Sequence, residues 1–204
     1  MTVSPQQVFP LGSFDLVSGF VLPEARLGYR TLGTLNDAKD NAVLLPHMYS
    51  GTSEFMTAFI SSGRPLDPER YFFVLPDQFG AGASSAASNT LAPFGRGAFP
   101  PVAISDDVRA QRRLLQEQFG IGRLAMVSGW SMGGQQTLEW AVRFPDMVQL
   151  AVPFAATSVN PDHCTVFCDL HMDALRSDPP TPTASTRPPP MWTSGCAGTP
   201  RRSH

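Results

Sequence analysis

The chain lacks the features of an exported or membrane-bound protein. No apolar stretch approaches the roughly 20 residues that a membrane-spanning helix needs, and no basic region followed by an apolar run opens the chain. Three cysteines are too few, and odd in number, for a disulfide framework, so we predict a cytoplasmic location. Charged residues are scarce at 16% and the net charge is −2, which gives no reason to expect nucleic acid or an anionic membrane as partner.

Aliphatic side chains are missing from the last part of the sequence. Residues 178–204 contain no Leu, Ile, Val or Phe, and seven of these 27 residues are proline. Such a segment buries too little apolar surface to offset the entropy lost on ordering. We therefore predict a folded domain over residues 1–177 and a disordered tail over 178–204.

Short apolar runs at 42–45, 71–75, 124–127 and 150–152 are typical of strands buried on both faces. They follow three short segments of rough apolar and polar alternation within residues 8–35, which predict antiparallel strands. Between the apolar runs, helical spacing recurs. This order predicts an α/β protein with a mostly parallel sheet and helices on both faces.

Two helices are predicted between the later strands. The first covers 105–119, with Ser105 as its cap and Gly120 as its stop. The second covers 131–144 and ends at Pro145. Its inner face is predicted to carry three residues: Leu138, Ala141 and Val142.

A glycine-rich motif lies where an apolar strand gives way to the second helix: Gly129-Trp130-Ser131-Met132-Gly133-Gly134. This context is typical of a nucleophile elbow, in which a sharp turn exposes a serine hydroxyl above the sheet. The turn crowds the backbone, so neighbouring positions need glycine. The pattern predicts Ser131 as a nucleophile; a glycine-rich turn with a capping serine is the alternative.

A serine nucleophile also needs an oxyanion hole, a pair of donors that stabilises the negative charge formed when the serine attacks a carbonyl group. The residue after the nucleophile supplies one backbone donor, which assigns Met132 N–H. The second comes from the loop after an earlier strand, here residues 45–52, and we predict Tyr49 N–H. His47 lies before that turn on the oxyanion side, and we interpret it as structural rather than as a base.

The chain resembles the homoserine O-acetyltransferase branch of the α/β-hydrolase superfamily from about residue 10 to about residue 178. The matching residues are Ala25-Arg26-Leu27-Gly28-Tyr29-Arg30-Thr31-Leu32-Gly33-Thr34-Leu35-Asn36, the loop from His47 to Gly51, Gly129 to Gln136, Leu138-Glu139-Trp140-Ala141 and Phe144-Pro145-Asp146. The resemblance implies acyl transfer from an acyl-CoA to a small hydroxyl acceptor through a serine acyl-enzyme. It implies small-molecule partners and no bound cofactor, with acyl-CoA as a co-substrate.

Two departures from that branch leave the acceptor open. Tyr49 stands where a leucine is common, and the loop 76–82 differs from the usual one. Hydrolysis of a carboxylic ester is therefore a second reading of the same site. A non-catalytic binding protein that kept part of the fold is a third.

The rest of a catalytic triad is expected after the nucleophile, in the order acid and then histidine. Here residues 155–177 read as the start of a lid, and the resemblance stops at about residue 178. The remainder reads like out-of-frame translation, so we hypothesise a truncated or frameshifted product that lacks its last strands and is inactive. Missing strands would leave an open sheet edge and favour a homodimer or aggregation.

Histidine and cysteine residues cluster on the predicted lid helix. His163 and His171 are candidates for a substitute base, but their spacing does not direct either of them at Ser131. Cys164, Cys168 and His171 share one helical face, yet the spacing fits no closed metal site, so we predict none.

Overall fold

The computed structural model describes residues 3–177, except the side chains of residues 175 and 176. Its strands are β1 (Gln7–Asp15), β2 (Val21–Leu32), β3 (Ala42–Leu44), β4 (Phe72–Pro76), β5 (Met126–Trp130) and β6 (Ala151–Phe154). Its helices are α1 (Ile104–Arg113), α2 (Met132–Arg143) and α3 (Asp162–Ser177). One π-helical turn, Leu114–Gln118, extends α1, and 3₁₀ turns cover Phe55–Phe59, Arg96–Ala98 and Pro145–Met147.

The strands form one six-stranded sheet in the order β1-β2-β4-β3-β5-β6. β1 pairs antiparallel with β2, and β2 pairs antiparallel with β4. The other three pairings, β4 with β3, β3 with β5 and β5 with β6, are parallel. The prediction of an α/β fold with a mostly parallel sheet is confirmed. The three short strands expected within residues 8–35 are two longer ones, because the segment around Gly19 is the turn between β1 and β2.

The central strands are buried on both faces, as their continuous apolar runs predict. Leu44 and Val74 face the larger cluster, which α1 and α2 cover with residues such as Val108 and Trp140. The neighbouring Val43 and Phe73 face a second, smaller cluster on the opposite side of the sheet. That second cluster is closed by Met56 and Ile60 in and after the turn Phe55–Phe59.

Two details of the helices differ from the sequence prediction. Ser105 is not the cap of α1: Ala103 is the capping residue, and the Asp106 carboxylate accepts its N–H at 2.8 Å. Val142 does not lie on the inner face of α2, since 81% of it is exposed. The helix approaches the sheet closely, so its buried face carries mostly small or polar residues together with Trp140: Gly133, Gly134, Gln136 and Thr137.

No helix within residues 3–177 combines the length and hydrophobicity that crossing a bilayer requires. The predicted helix at 163–176 is present as α3. The predicted disordered tail, 178–204, lies outside the described residues.

The sheet has an uncovered edge at β6, which pairs only with β5 among the described strands. Large apolar side chains near it are exposed, including Leu150 at 53% and Phe154 at 56%. Unpaired edge groups and contiguous apolar surface both favour association with another chain.

We therefore expect the purified chain to sediment as dimers or larger species. Phe154→Lys should shift it towards monomer, because a charge on an edge strand opposes strand pairing. Val8→Lys is the matched control, since Val8 is equally exposed at 54% on β1, the opposite edge. A monomer with one cooperative melting transition for the unmodified chain would contradict this expectation.

Candidate active site

Ser131 forms a sharp junction between β5 and α2. Its backbone has φ 55° and ψ −118°, a conformation that non-glycine residues rarely adopt. Two hydrogen bonds hold it there: Ser131 N–H donates to Phe154 O at 2.9 Å, and Ser131 O accepts from Gln135 N–H at 3.0 Å. The side chain is exposed above the carboxyl end of the parallel strands. The geometry is that of the predicted elbow.

Close backbone contacts explain the glycines around this serine. A Cβ atom on Gly133 would lie well inside 3.0 Å of Pro46 O and at 2.9 Å from His47 O. A Cβ on Gly129 would collide with the backbone of Gly133 and with Pro46 O. The loop after β3 therefore packs directly on the first turn of α2. Only residues without side chains allow this approach.

One of the two predicted oxyanion donors, Tyr49, lies on this loop, and the other, Met132, begins α2. Residues Met48 to Gly51 form a tight turn, closed by a hydrogen bond of 3.0 Å from Gly51 N–H to Met48 O, with Ser50 at φ 61°. Tyr49 is the first central residue of this turn, and its N–H donates to no acceptor within residues 3–177. Met132 is the first residue of α2, where a helix leaves its N–H groups without an internal acceptor.

His47 is buried, and both of its ring nitrogens have partners. Nδ1 lies 2.8 Å from Met48 O, which can only accept, so Nδ1 carries the proton. Nε2 accepts from Gln78 N–H at 3.2 Å. Burial lowers the pKa of the imidazole below its usual value, although the Met48 hydrogen bond and the Asp77 charge oppose this. His47 is therefore neutral and unavailable as a base for Ser131.

The other two histidines within residues 3–177 form no hydrogen bond with Ser131. His163 and His171 lie on α3, where His171 Nδ1 is 2.8 Å from Phe167 O and the ring packs on Phe167. Among residues 3–177, no side chain hydrogen-bonds the Ser131 hydroxyl. Nor does any group of three or more His, Cys, Asp or Glu in that range have metal-binding geometry. Cys164 is a free thiol.

Sequence reasoning missed a buried polar group beside the loop 45–52, which follows β3. Asp77 follows β4 and accepts from Ser53 N–H at 2.8 Å, Ser53 Oγ–H at 2.8 Å and Gln6 Nε2 at 2.9 Å. Gln78, the next residue, donates its side-chain amide to His47 O. Their position in the sequence could have indicated them, because residues that follow the carboxyl end of a buried parallel strand commonly lie at the binding or active site.

Comparison with known proteins identifies the family. A family model described as the α/β-hydrolase fold matches residues 41–178. An ethyl acetate hydrolase of Pseudomonas veronii is 44% identical over 86% of this chain and 50% of its own length. A homoserine O-acetyltransferase of Solidesulfovibrio magneticus is 38% identical over 79% of this chain and 45% of its own length.

Solved structures give the same result. The acetyl esterase MekB superposes with a TM-score of 0.83 at 44% identity, covering 86% of this chain and 51% of that one. A homoserine O-acetyltransferase from Bacillus anthracis superposes with a TM-score of 0.78 at 25% identity, covering 88% and 54%. The chain spans about half the length of the curated relatives it matches. The match to the family model and the similarity in sequence and structure show that this chain belongs to the α/β-hydrolase fold family, alongside homoserine O-acetyltransferases and acetyl esterases.

Proposed function

We propose that Ser131 is the nucleophile of a serine acyl-transfer site that takes a short acyl group from a carboxylic ester. The observation that carries this proposal is the strained Ser131 backbone at the strand-to-helix junction, with Gly129 and Gly133 in forced close contact with the loop after β3. Members of the family are hydrolases or acyltransferases. Their shared first step is formation of an acyl-enzyme.

In that step Ser131 Oγ attacks the ester carbonyl carbon, and the carbonyl oxygen becomes an oxyanion. Met132 N–H and Tyr49 N–H are the proposed donors to it. The intermediate then collapses, the bond to the alcohol oxygen breaks, and the acyl group stays on Ser131. The serine proton must leave during attack and a proton must reach the departing alkoxide.

Within residues 3–177 no base contacts the serine hydroxyl, so water or hydroxide must take that proton. We therefore expect acylation to be slow and deacylation slower still, because the attacking water is also unactivated. The residual rate enhancement should resemble that of enzymes without their triad, about 10³–10⁴ over water. Robust turnover that Ser131→Ala abolishes would contradict an incomplete site.

The first experiment measures acylation rather than turnover. Incubation with p-nitrophenyl acetate followed by intact mass and peptide mapping should find one acetyl group on Ser131. Ser131→Ala is the control and should carry none. Ser131 is exposed, so it could also be acetylated non-specifically, like any surface hydroxyl. If other hydroxyl groups were acetylated at the same rate as Ser131, the elbow would confer no reactivity, and a non-catalytic binding role would replace this proposal.

Transfer to a hydroxyl acceptor is the second candidate, favoured by the similarity to homoserine O-acetyltransferases. The two candidates differ in donor and in the fate of the acyl group. Acetyl-CoA should acetylate Ser131 only if the chain is of the transferase type. Esters should acetylate it in both cases. The esterase reading leads because the ethyl acetate hydrolase and a probable esterase of Corynebacterium glutamicum, at 42% identity, exceed the acetyltransferases in similarity.

A further inference from the structure

The direction of the Tyr49 N–H is set by the peptide that joins it to Met48. That peptide is planar, so its N–H points away from its C=O. Met48 O accepts two hydrogen bonds, from Gly51 N–H at 3.0 Å and from His47 Nδ1–H at 2.8 Å. A peptide held by two donors on its carbonyl cannot swing, and its N–H is held in the opposite direction.

The His47 ring is itself fixed to the sheet. Its Nε2 accepts from Gln78 N–H at 3.2 Å, and the Gln78 side chain donates to His47 O. Gln78 comes two residues after the end of β4. Since the imidazole has one partner that only accepts and one that only donates, its neutral form satisfies both at once. Protonation would break the bond from Gln78 N–H.

Asp77 holds the other end of the loop. Both oxygens of its buried carboxylate accept from Ser53, one from the N–H and one from the hydroxyl, each at 2.8 Å. Asp77 N–H donates to Gly28 O at 2.8 Å, which ties the residue to β2. The segment between His47 and Ser53 is therefore clamped at each end by one of two consecutive residues after β4.

We infer that His47 and Asp77 are positioning residues that aim the Tyr49 N–H at the oxyanion of the Ser131 acylation step. This inference rests on the proposed function. Neither side chain touches the reacting atoms; they act through Met48 O and Ser53. Displacing a catalytic group by about 1 Å can cost about 100-fold in rate. Without this role, four buried polar side chains on the two loops that follow β3 and β4 would contribute to stability alone: His47, Ser53, Asp77 and Gln78.

The test compares variants by their rate constant of Ser131 acetylation at saturating p-nitrophenyl acetate. His47→Leu removes both ring contacts and should lower this rate constant by about 10- to 100-fold, with the ester concentration at half-maximal rate little changed. His47→Asn restores a donor for Met48 O and should recover most of the loss. Asp77→Ala should behave like His47→Leu.

Asp106→Ala is the matched control for Asp77→Ala. Asp106 is also a buried carboxylate with three donors, Val17 N–H, Ala103 N–H and Arg109, but none of these donors belongs to the loop between His47 and Ser53. The Asp106→Ala variant should be less stable than the wild type, but its rate constant of Ser131 acetylation should be unchanged. Equal rates in the two alanine variants, or no recovery in His47→Asn, would overturn the inference and leave a merely structural network.

Hydrogen exchange gives a readout that does not depend on the chemistry. Gly51 and Ser53 amides should lose protection in His47→Leu and Asp77→Ala but keep it in Asp106→Ala. If wild-type Ser131 is never acetylated, the proposed function fails, and the positioning of a catalytic donor fails with it. If wild type is acetylated while these amides stay protected in both loop variants, only the positioning inference fails.

Discussion

Replacing Gly133 with alanine is expected to lower the free energy of unfolding by about 3 kcal/mol. The new methyl group would lie well inside 3.0 Å of Pro46 O and 2.9 Å from His47 O. Both contacts are with backbone, so no side chain can rotate away to relieve them. Either α2 or the loop after β3 must move, and the rate of Ser131 acetylation should therefore fall together with the free energy of unfolding. Urea denaturation followed by circular dichroism measures the first effect, and the acetylation assay measures the second.

Gly122→Ala is the matched control for this variant. A Cβ on Gly122 meets nothing within 4 Å, and the backbone there needs no positive φ. Its effect on stability should stay within about 0.5 kcal/mol, as for most surface substitutions. If Gly133→Ala changed the free energy of unfolding as little as Gly122→Ala, the loop after β3 could not lie so close to α2. The proposed location of the Tyr49 donor would then be contradicted as well.

Stability is expected to fall between about pH 4 and about pH 8 because of Asp107. Burial, together with the negative charge of Asp106, raises the pKa of this carboxyl from 3.8 to about 8, against the lowering effect of a hydrogen bond from Phe79 N–H at 2.8 Å. The folded chain therefore holds a proton that the unfolded chain has released. Folding takes up a proton in this window, so stability decreases as pH rises and levels off above about 8.

The maximum slope from this one group is about 1.4 kcal/mol per pH unit. Asp107→Asn keeps an oxygen to accept from Phe79 N–H and has no charge to gain. We expect it to raise the free energy of unfolding at pH 7 by about 4 kcal/mol, which is about three pH units at that slope, and to flatten the pH dependence. Below about pH 4 both states of the wild type are protonated, and the variant should bring no gain there.

Asp106→Asn provides the contrast. The Asp106 carboxylate accepts from Val17 N–H, Ala103 N–H and Arg109, so neutralising it weakens charge-assisted hydrogen bonds and should destabilise at pH 7. The two neighbouring variants should change stability in opposite directions. A slope between pH 4 and 8 that survives in Asp107→Asn would show that Asp107 does not carry the proton.

The elbow could be predicted because its signals are local. A buried strand, a serine between glycines and a helix within a few residues leave little choice of backbone, and Ser131 lies where the motif places it. The same holds for the parallel strands, since short continuous apolar runs are typical of strands buried on both faces of a sheet. The end of the first helical segment at Gly120, with φ 66°, is also a local property.

Predictions that needed one element placed against another were less accurate. Val142 was assigned to the inner face of α2 by its hydrophobicity, but the close approach of α2 to the sheet selects the face that carries Gly133 and Thr137. Ser105 was assigned as a cap by residue type, whereas α1 begins one residue earlier. There Asp106 serves both Ala103 and the distant Val17.

The sequence by itself determined the family, the order of strands and helices, and the strand–turn–helix motif that contains Ser131, because each depends on residues close together along the chain. Only the tertiary structure decided that His47 is neutral with both nitrogens bound, that Asp77 clamps Ser53, and that Asp107 keeps its proton. These depend on contacts between residues 24 to 31 positions apart and on burial, which sequence spacing does not encode.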